Sequence, residues 1–127
     1  MVSQGLYKGF TPCSLYDMLT YIWSADTCAP RLRDGWSADD KTRGQCSVTA
    51  FLAQDVFGGE VYGIYRSDGY HCFNVVDGIR FDLTSEQFHG EVLDYDSAVP
   101  QSREVHFAKE EKRLRYEMLG ARLERSI

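Results

Sequence analysis

The sequence predicts a single α+β domain built on a small antiparallel sheet, and three observations predict it. Two segments carry apolar residues at helical spacing, three short segments between residues 60 and 83 are separated by turn residues, and a charged, periodic segment closes the chain. Strands grouped together and flanked by helices are the pattern of α+β architecture, not of alternating βα units.

The elements follow in order. Thr11-Pro12 precedes a helix expected over Ser14 to Trp23, with Leu15, Met18, Leu19 and Ile22 on one face. Residues from Ser24 to Arg43 contain Pro30, glycine-adjacent turns and several charges, and read as one long irregular loop. A second helix is expected over residues 47–57, with Val48, Phe51, Leu52 and Val56 as its apolar stripe and Gly58-Gly59 as its stop. Strands are expected over Glu60 to Arg66, Tyr70 to Val76 and Ile79 to Leu83, divided by Ser67-Asp68-Gly69 and by Asp77-Gly78. Thr84 with Gln87 three residues on has the form of a capping box for a short helix. After Pro100, one long helix is expected from Arg103 to Arg125, with Leu114, Met118 and Ala121 along one side, joined by Tyr116, Leu119 and Leu123. Its Glu111 and Arg115 are spaced for a surface ion pair.

Composition narrows the function classes. The chain has 127 residues, 43% of them hydrophobic and 26% charged, which suits one domain over 1–127 and argues against disorder. A net charge of −5 gives no reason to expect a nucleic-acid partner. Basic residues are scattered except in the C-terminal segment, where they alternate with acidic ones in the manner of a solvated helix face. No apolar run suits a signal peptide or a membrane span, so no membrane partner and a cytoplasmic location are expected. Cys13, Cys28, Cys46 and Cys72 contain no C-x-x-C pair and are expected to remain thiols.

Cys46 stands apart because it opens the second helix. Backbone N–H groups there lack intrahelical partners, and the helix dipole favours a thiolate. The same groups suit the oxyanion formed when a carbonyl is attacked. His71 and Asp82 are linked by counting. If Asp77-Gly78 is a two-residue hairpin loop, Val76 pairs with Ile79 and Phe73 falls opposite Asp82. His71 shares a face with Phe73, which makes Asp82 its diagonal neighbour at roughly 7–8 Å backbone separation. A carboxylate there fixes the histidine tautomer and supports an imidazolium. Cys72 and Asn74 fall on the opposite face. Taken singly, the three residues also have bland readings: a core cysteine, a satisfied strand histidine and a turn carboxylate. Their joint order is what points to chemistry.

The order of helix-start cysteine, strand histidine and strand aspartate resembles the papain-like and transglutaminase-like core. More closely, the chain resembles the YunG-like family of small uncharacterised bacterial proteins, through WSADT at 23–27, GQCSVTAFLAQDVFGGE at 44–60, GYHCFNVVDG at 69–78, FDLTSEQF at 81–88 and RYEMLGARLE at 115–124. The resemblance implies a cysteine-bearing helix packed on an antiparallel sheet and a Cys46-His71-Asp82 group, but names no substrate. The oxyanion glutamine of the papain type lies several residues before its nucleophile. Gln45 is adjacent to Cys46, so that role is not carried to it. Gln45 and Trp36 stand as candidates for substrate contact, Trp36 as the roof of a groove walled by the loop before Cys46.

Three functions compete. The first is thiol-dependent hydrolysis or acyl transfer on a peptide, amide or small-molecule carbonyl, with no cofactor. The second is a non-catalytic binding or accessory module on the same scaffold. The third is a metal site at Cys46, His71 and Asp82, which has no familiar spacing and no evident fourth ligand. Cys13 and Cys28 are expected to pack, and His89 and His106 to be exposed without partners.

Overall fold

The computed structural model describes residues 8–67 and 69–127. Residues 1–7, which bear on the signal-peptide reading, and Asp68 in the first strand turn lie outside the described residues. Helix α1 (Pro12–Ile22) begins at a capping box between Thr11 and Ser14, with Pro12 in its first turn. The expected loop is wound into two 3-10 turns, Ala25–Thr27 and Pro30–Gly35. Helix α2 (Cys46–Phe57) ends at Gly58, whose φ of 78° only glycine adopts cheaply.

Strands β1 (Glu60–Arg66), β2 (Gly69–Val76) and β3 (Ile79–Phe81) form an antiparallel meander. The hairpin register is as counted, with Val76 opposite Ile79 and Asn74 opposite Phe81. Asp77 and Gly78 both have positive φ, as a two-residue Asp-Gly loop requires. Strand β3 stops two residues before the expected Leu83 because the Asp82 carboxylate accepts the Thr84 N–H at 3.1 Å, turning the chain off the sheet. The capping box expected at Thr84 is absent. The segment is a 3-10 turn, Ser85–Phe88, and Gln87 instead accepts from the Gly44 N–H at 3.2 Å.

A further short strand, β4 (Val99–Pro100), pairs with Tyr62 and Gly63, so the sheet order is β3-β2-β1-β4. The single C-terminal helix is in fact two, α3 (Arg103–Phe107) and α4 (Glu110–Arg125), broken at an extended Lys109. The break turns Phe107 against Phe51 and Tyr116, with ring centroids 5.2 and 4.6 Å apart.

Helices α1, α2 and α4 enclose one core around Leu15, Leu19, Val48, Leu52, Leu119 and Leu123. Residues Cys72 and Asn74 of β2 face α2, and Asn74 donates to the Ala50 carbonyl at 2.8 Å. The other sheet face carries Ile64 and Phe73, covered by Leu93, Phe88 and Tyr95 from the 83–98 segment.

On α4, Leu114 and Met118 are exposed, whereas Leu119 and Leu123 are buried. Its arginines are not simply a solvated face. Arg122 donates to the Ile22 carbonyl at 3.0 Å and closes the end of α1. Arg115 is buried and donates to the Thr27 carbonyl at 3.0 Å while pairing with Glu111 at 2.7 Å. From α3, Arg103 reaches the Phe51 carbonyl in the middle of α2 and the Asp55 carboxylate in its last turn, at 2.9 and 2.8 Å. Terminal carbonyls of helices lack internal partners and attract cations, so Arg122 and Arg115 tie the ends of α1 and of the Ala25–Thr27 turn to α4. No helix among the described residues is long and apolar enough to cross a membrane.

Candidate functional site

Cys46 is the first residue of α2, and its position depends on the two residues before it. Gly44 has φ +68°, and a Cβ there would lie 2.5 Å from the Cys28 sulfur. Its carbonyl accepts the Ala29 N–H at 2.9 Å, which binds the approach to α2 against the preceding loop. Gly44→Ala is therefore expected to lose about 1–3 kcal/mol of stability, read as a lower denaturant midpoint, from backbone strain alone. Gln45 occupies the N-cap position but makes no capping bond. The first N–H groups of α2 are thus left without a side-chain cap.

Strand β3 pairs only with residues 74–76, leaving the earlier part of β2 without a neighbour on that edge. The start of α2 meets β2 there, with Cys46 Sγ 3.7 Å from the Tyr70 carbonyl. His71, 2% exposed, donates from Nε2 to Asp82 Oδ2 at 2.6 Å. Tyr95 donates its hydroxyl to the same oxygen at 2.8 Å, and the Thr84 N–H binds the other. The Phe88 ring stands edge-on to the imidazole at 4.7 Å. With Nε2 committed to Asp82, Nδ1 is the nitrogen left for the cysteine side. It is buried and makes no hydrogen bond in this state. Such contacts commonly tighten only when a reactant binds.

The surroundings favour the anion at Cys46 and the cation at His71. The Cys46 thiol is pushed well below the usual thiol range, first by the Cys72 thiol beside it and then, against the cost of burial, by the neighbouring His71. Cys72 is pushed the other way, by the same contact with Cys46 and by burial, so it stays a protonated donor. For His71, burial is the largest single influence and disfavours the imidazolium. The Asp82 hydrogen bond and Cys46 together outweigh it, raising the pKa to about 9. Tyr95 is pushed up by burial and by Asp82, which keeps its hydroxyl a donor.

A cleft of about 860 Å³ opens over Cys46, Ser47, Tyr70 and His71, with α4 and the loop before α2 as walls. Cys46 is half-buried at its floor. The two residues expected to contact substrate are not among those lining it. Gln45 is fully buried and donates to the Ser24 carbonyl at 3.0 Å. Trp36 donates to the Lys41 carbonyl at 2.9 Å and packs on the helical core. Closeness in sequence to Cys46 or to the loop does not bring either side chain to the cleft, and both turn inward.

Other expectations also change. His106 is buried, donating to Gln101 Oε1 at 2.8 Å and accepting from Lys112 at 3.0 Å, whereas His89 is exposed, 3.7 Å from Asp40. Cys28 is buried but Cys13 is exposed. No group of three or more histidine, cysteine or acidic side chains among the described residues is arranged to hold a metal ion. Sequence reasoning missed Tyr95, Phe88, Cys72 and Lys112 as neighbours of the site. Of these only Cys72 carried a signal, through its place beside His71.

Residues 11–127 match the family model described as YunG protein. The chain belongs to the YunG family. One relative, "Uncharacterized protein YunG" of Bacillus subtilis (strain 168), is 38% identical over 72 residues. The match spans 57% of this chain and 61% of that relative. No solved structure matches the chain. Membership in the YunG family thus comes with no assigned chemistry, and the functional reading rests on the geometry of this chain.

Proposed function

We propose that this YunG-family chain is a thiol-dependent hydrolase or acyltransferase acting on an amide or related carbonyl, on a papain-like arrangement of Cys46, His71 and Asp82. The observation that carries the reading is the buried His71–Asp82 pair at 2.6 Å, which leaves Nδ1 unbonded on the side of a helix-start cysteine in an open cleft. Structural histidines and carboxylates are ordinarily satisfied on all sides. Here one nitrogen is kept unused where a nucleophile would need it.

The chemistry follows from these groups. The Cys46 thiolate attacks the carbonyl carbon and forms a C–S bond, while the carbonyl oxygen takes the electron pair. The uncapped N–H groups of α2 offer hydrogen bonds to that oxyanion. His71 gives its Nδ1 proton to the leaving amine as the C–N bond breaks, yielding a thioester on Cys46. Neutral His71 then takes a proton from water, or from an acceptor nucleophile, whose attack releases the acid or the transferred product and regenerates the thiolate. Asp82 holds His71 in the required tautomer, and Tyr95 and Thr84 hold Asp82.

The test is an acyl-enzyme trap. Incubation with small activated esters and thioesters, followed by intact-mass and peptide analysis, is expected to show one acyl group on Cys46 that decays on standing. Acylation spread evenly over Cys46 and exposed Cys13 would sink the reading.

A further inference from the structure

The chain is acidic overall, but the cleft is not. Its described lining carries six cationic side chains, Arg31, Arg43, Arg66, Lys109, Lys112 and Arg115, against one carboxylate, Glu111. Glu111 is taken by Arg115, and Arg66 pairs with Glu91 at 3.0 Å. Neither Arg43, Lys109 nor Lys112 has a carboxylate within ion-pair distance among the described residues.

Lys112 is the most telling of these because a polar array is built to hold it. Gln101 donates from its backbone N–H to the Val61 carbonyl at 2.9 Å, and its side-chain oxygen accepts His106 Nε2 at 2.8 Å. That bond leaves His106 Nδ1 as an acceptor for the Lys112 ammonium at 3.0 Å. His106 stays neutral, since burial foremost and then the charge of Lys112 press its pKa to about 4. An ammonium has three donors, and one of them is spent on His106. Gln101, His106 and Lys112 all line the cleft that holds Cys46 and His71. Burial pushes Lys112 below the usual ammonium range, against the pull of the Cys72 and Cys46 sulfurs. Arg43 is held on the loop side of the same cleft by its Nε–H bond to the Leu32 carbonyl at 3.1 Å. A cation-lined, partly enclosed cleft focuses its field on whatever enters.

We infer that the substrate carries a carboxylate or a phosphate away from its reacting carbonyl, and that Lys112, aimed by His106 and Gln101, binds this anionic group in the Cys46 cleft. The inference rests on the thiol-chemistry reading given above. It narrows the substrate from any amide or ester to an anionic one, and it gives the cleft a function that overall charge conceals.

The test compares anionic iodoacetate with neutral iodoacetamide as alkylating agents for Cys46 in the full chain, read by peptide mass spectrometry. Both form the same C–S bond with loss of iodide. The ratio of their rates cancels the reactivity of the thiolate and reports the preference for charge. Wild type is expected to favour iodoacetate at Cys46 relative to the ratio at exposed Cys13. Lys112→Gln is expected to lower the Cys46 ratio by about fivefold, the size of one screened charge interaction, and Lys112→Arg to restore most of it. Inorganic phosphate or succinate is expected to slow iodoacetate more than chloride of equal ionic strength does. Whichever of the two protects at lower concentration assigns the anionic group.

A Cys46 that reacts rapidly with iodoacetamide, but whose ratio is the same in wild type and Lys112→Gln, would overturn the inference and leave the thiol chemistry standing. Equal slowing of both reagents in the variant does the same, since Lys112 then serves only the thiolate. Should Lys112→Gln fail to fold, the wild-type ratio and the protection by phosphate or succinate decide alone. A Cys46 no more reactive than Cys13 toward iodoacetamide would remove the thiol-chemistry reading, and this inference with it.

Discussion

Cys46→Ser is expected to abolish the acyl adduct and to cut turnover by about three orders of magnitude or more, with the fold retained. The sulfur lies at a helix start in a half-buried site, where a hydroxyl fits without new packing strain. What is lost is the anion. A serine hydroxyl is far less acidic than a thiol already lowered by Cys72 and His71, so nothing is poised to attack. The measurement pairs turnover on an activated ester with a thermal melt of the same preparation. A serine variant that melts like the wild type and keeps its turnover would remove Cys46 from the chemistry.

Asp82→Asn is expected to cost about 100-fold or more at neutral pH and to reshape the pH profile. All three donors around Asp82, from His71, Tyr95 and Thr84, address carboxylate oxygens. An asparagine has only one oxygen to share among them, so its amide group must confront at least one donor. The sign can be worked from the two shifts. Cys46, lowered, is a thiolate above its folded pKa, and His71, raised, keeps its proton up to about 9. The reactive pair is therefore populated between those limits, with activity rising with pH on the Cys46 limb and falling near 9. Without the carboxylate His71 loses its proton at lower pH, so the alkaline limb moves down. A less charged His71 also supports the thiolate less, so the acid limb moves up. A profile of unchanged width would contradict the role given to Asp82.

Much of this fold could be read from local pattern. Asp77-Gly78 specifies a two-residue loop, and once Val76 faces Ile79 the register carries Asp82, one residue past β3, toward His71. Helix α2 was likewise legible, since Val48, Phe51, Leu52 and Val56 mark its stripe and Gly58-Gly59 its stop. The C-terminal segment was legible in part, since Leu119 and Leu123 are buried but Leu114 and Met118 are exposed. Arg115 and Arg122 point inward to the ends of distant segments at Thr27 and Ile22, a use of charge that depends on tertiary position. Strand β4 is two residues long and exists only through its pairing with Tyr62 and Gly63. The same reason hides the outer parts of the site. Tyr95 meets Asp82 across 13 positions, and the Gln101-His106-Lys112 array faces Cys46 only after α3 and α4 fold back over the sheet. Gln45 shows the converse, for adjacency in sequence to Cys46 places its side chain in the interior.

In the proposed chemistry Cys46 rests as a thiolate paired with His71. The most direct measurement is the iodoacetamide alkylation rate of each cysteine across pH, resolved by peptide mass spectrometry, in wild type and His71→Ala. Cys46 is expected to react well below the ordinary thiol pKa of about 8.5, exposed Cys13 to follow the ordinary curve, and His71→Ala to move Cys46 up toward that curve. A Cys46 that titrates with Cys13, or one indifferent to the loss of His71, would contradict it.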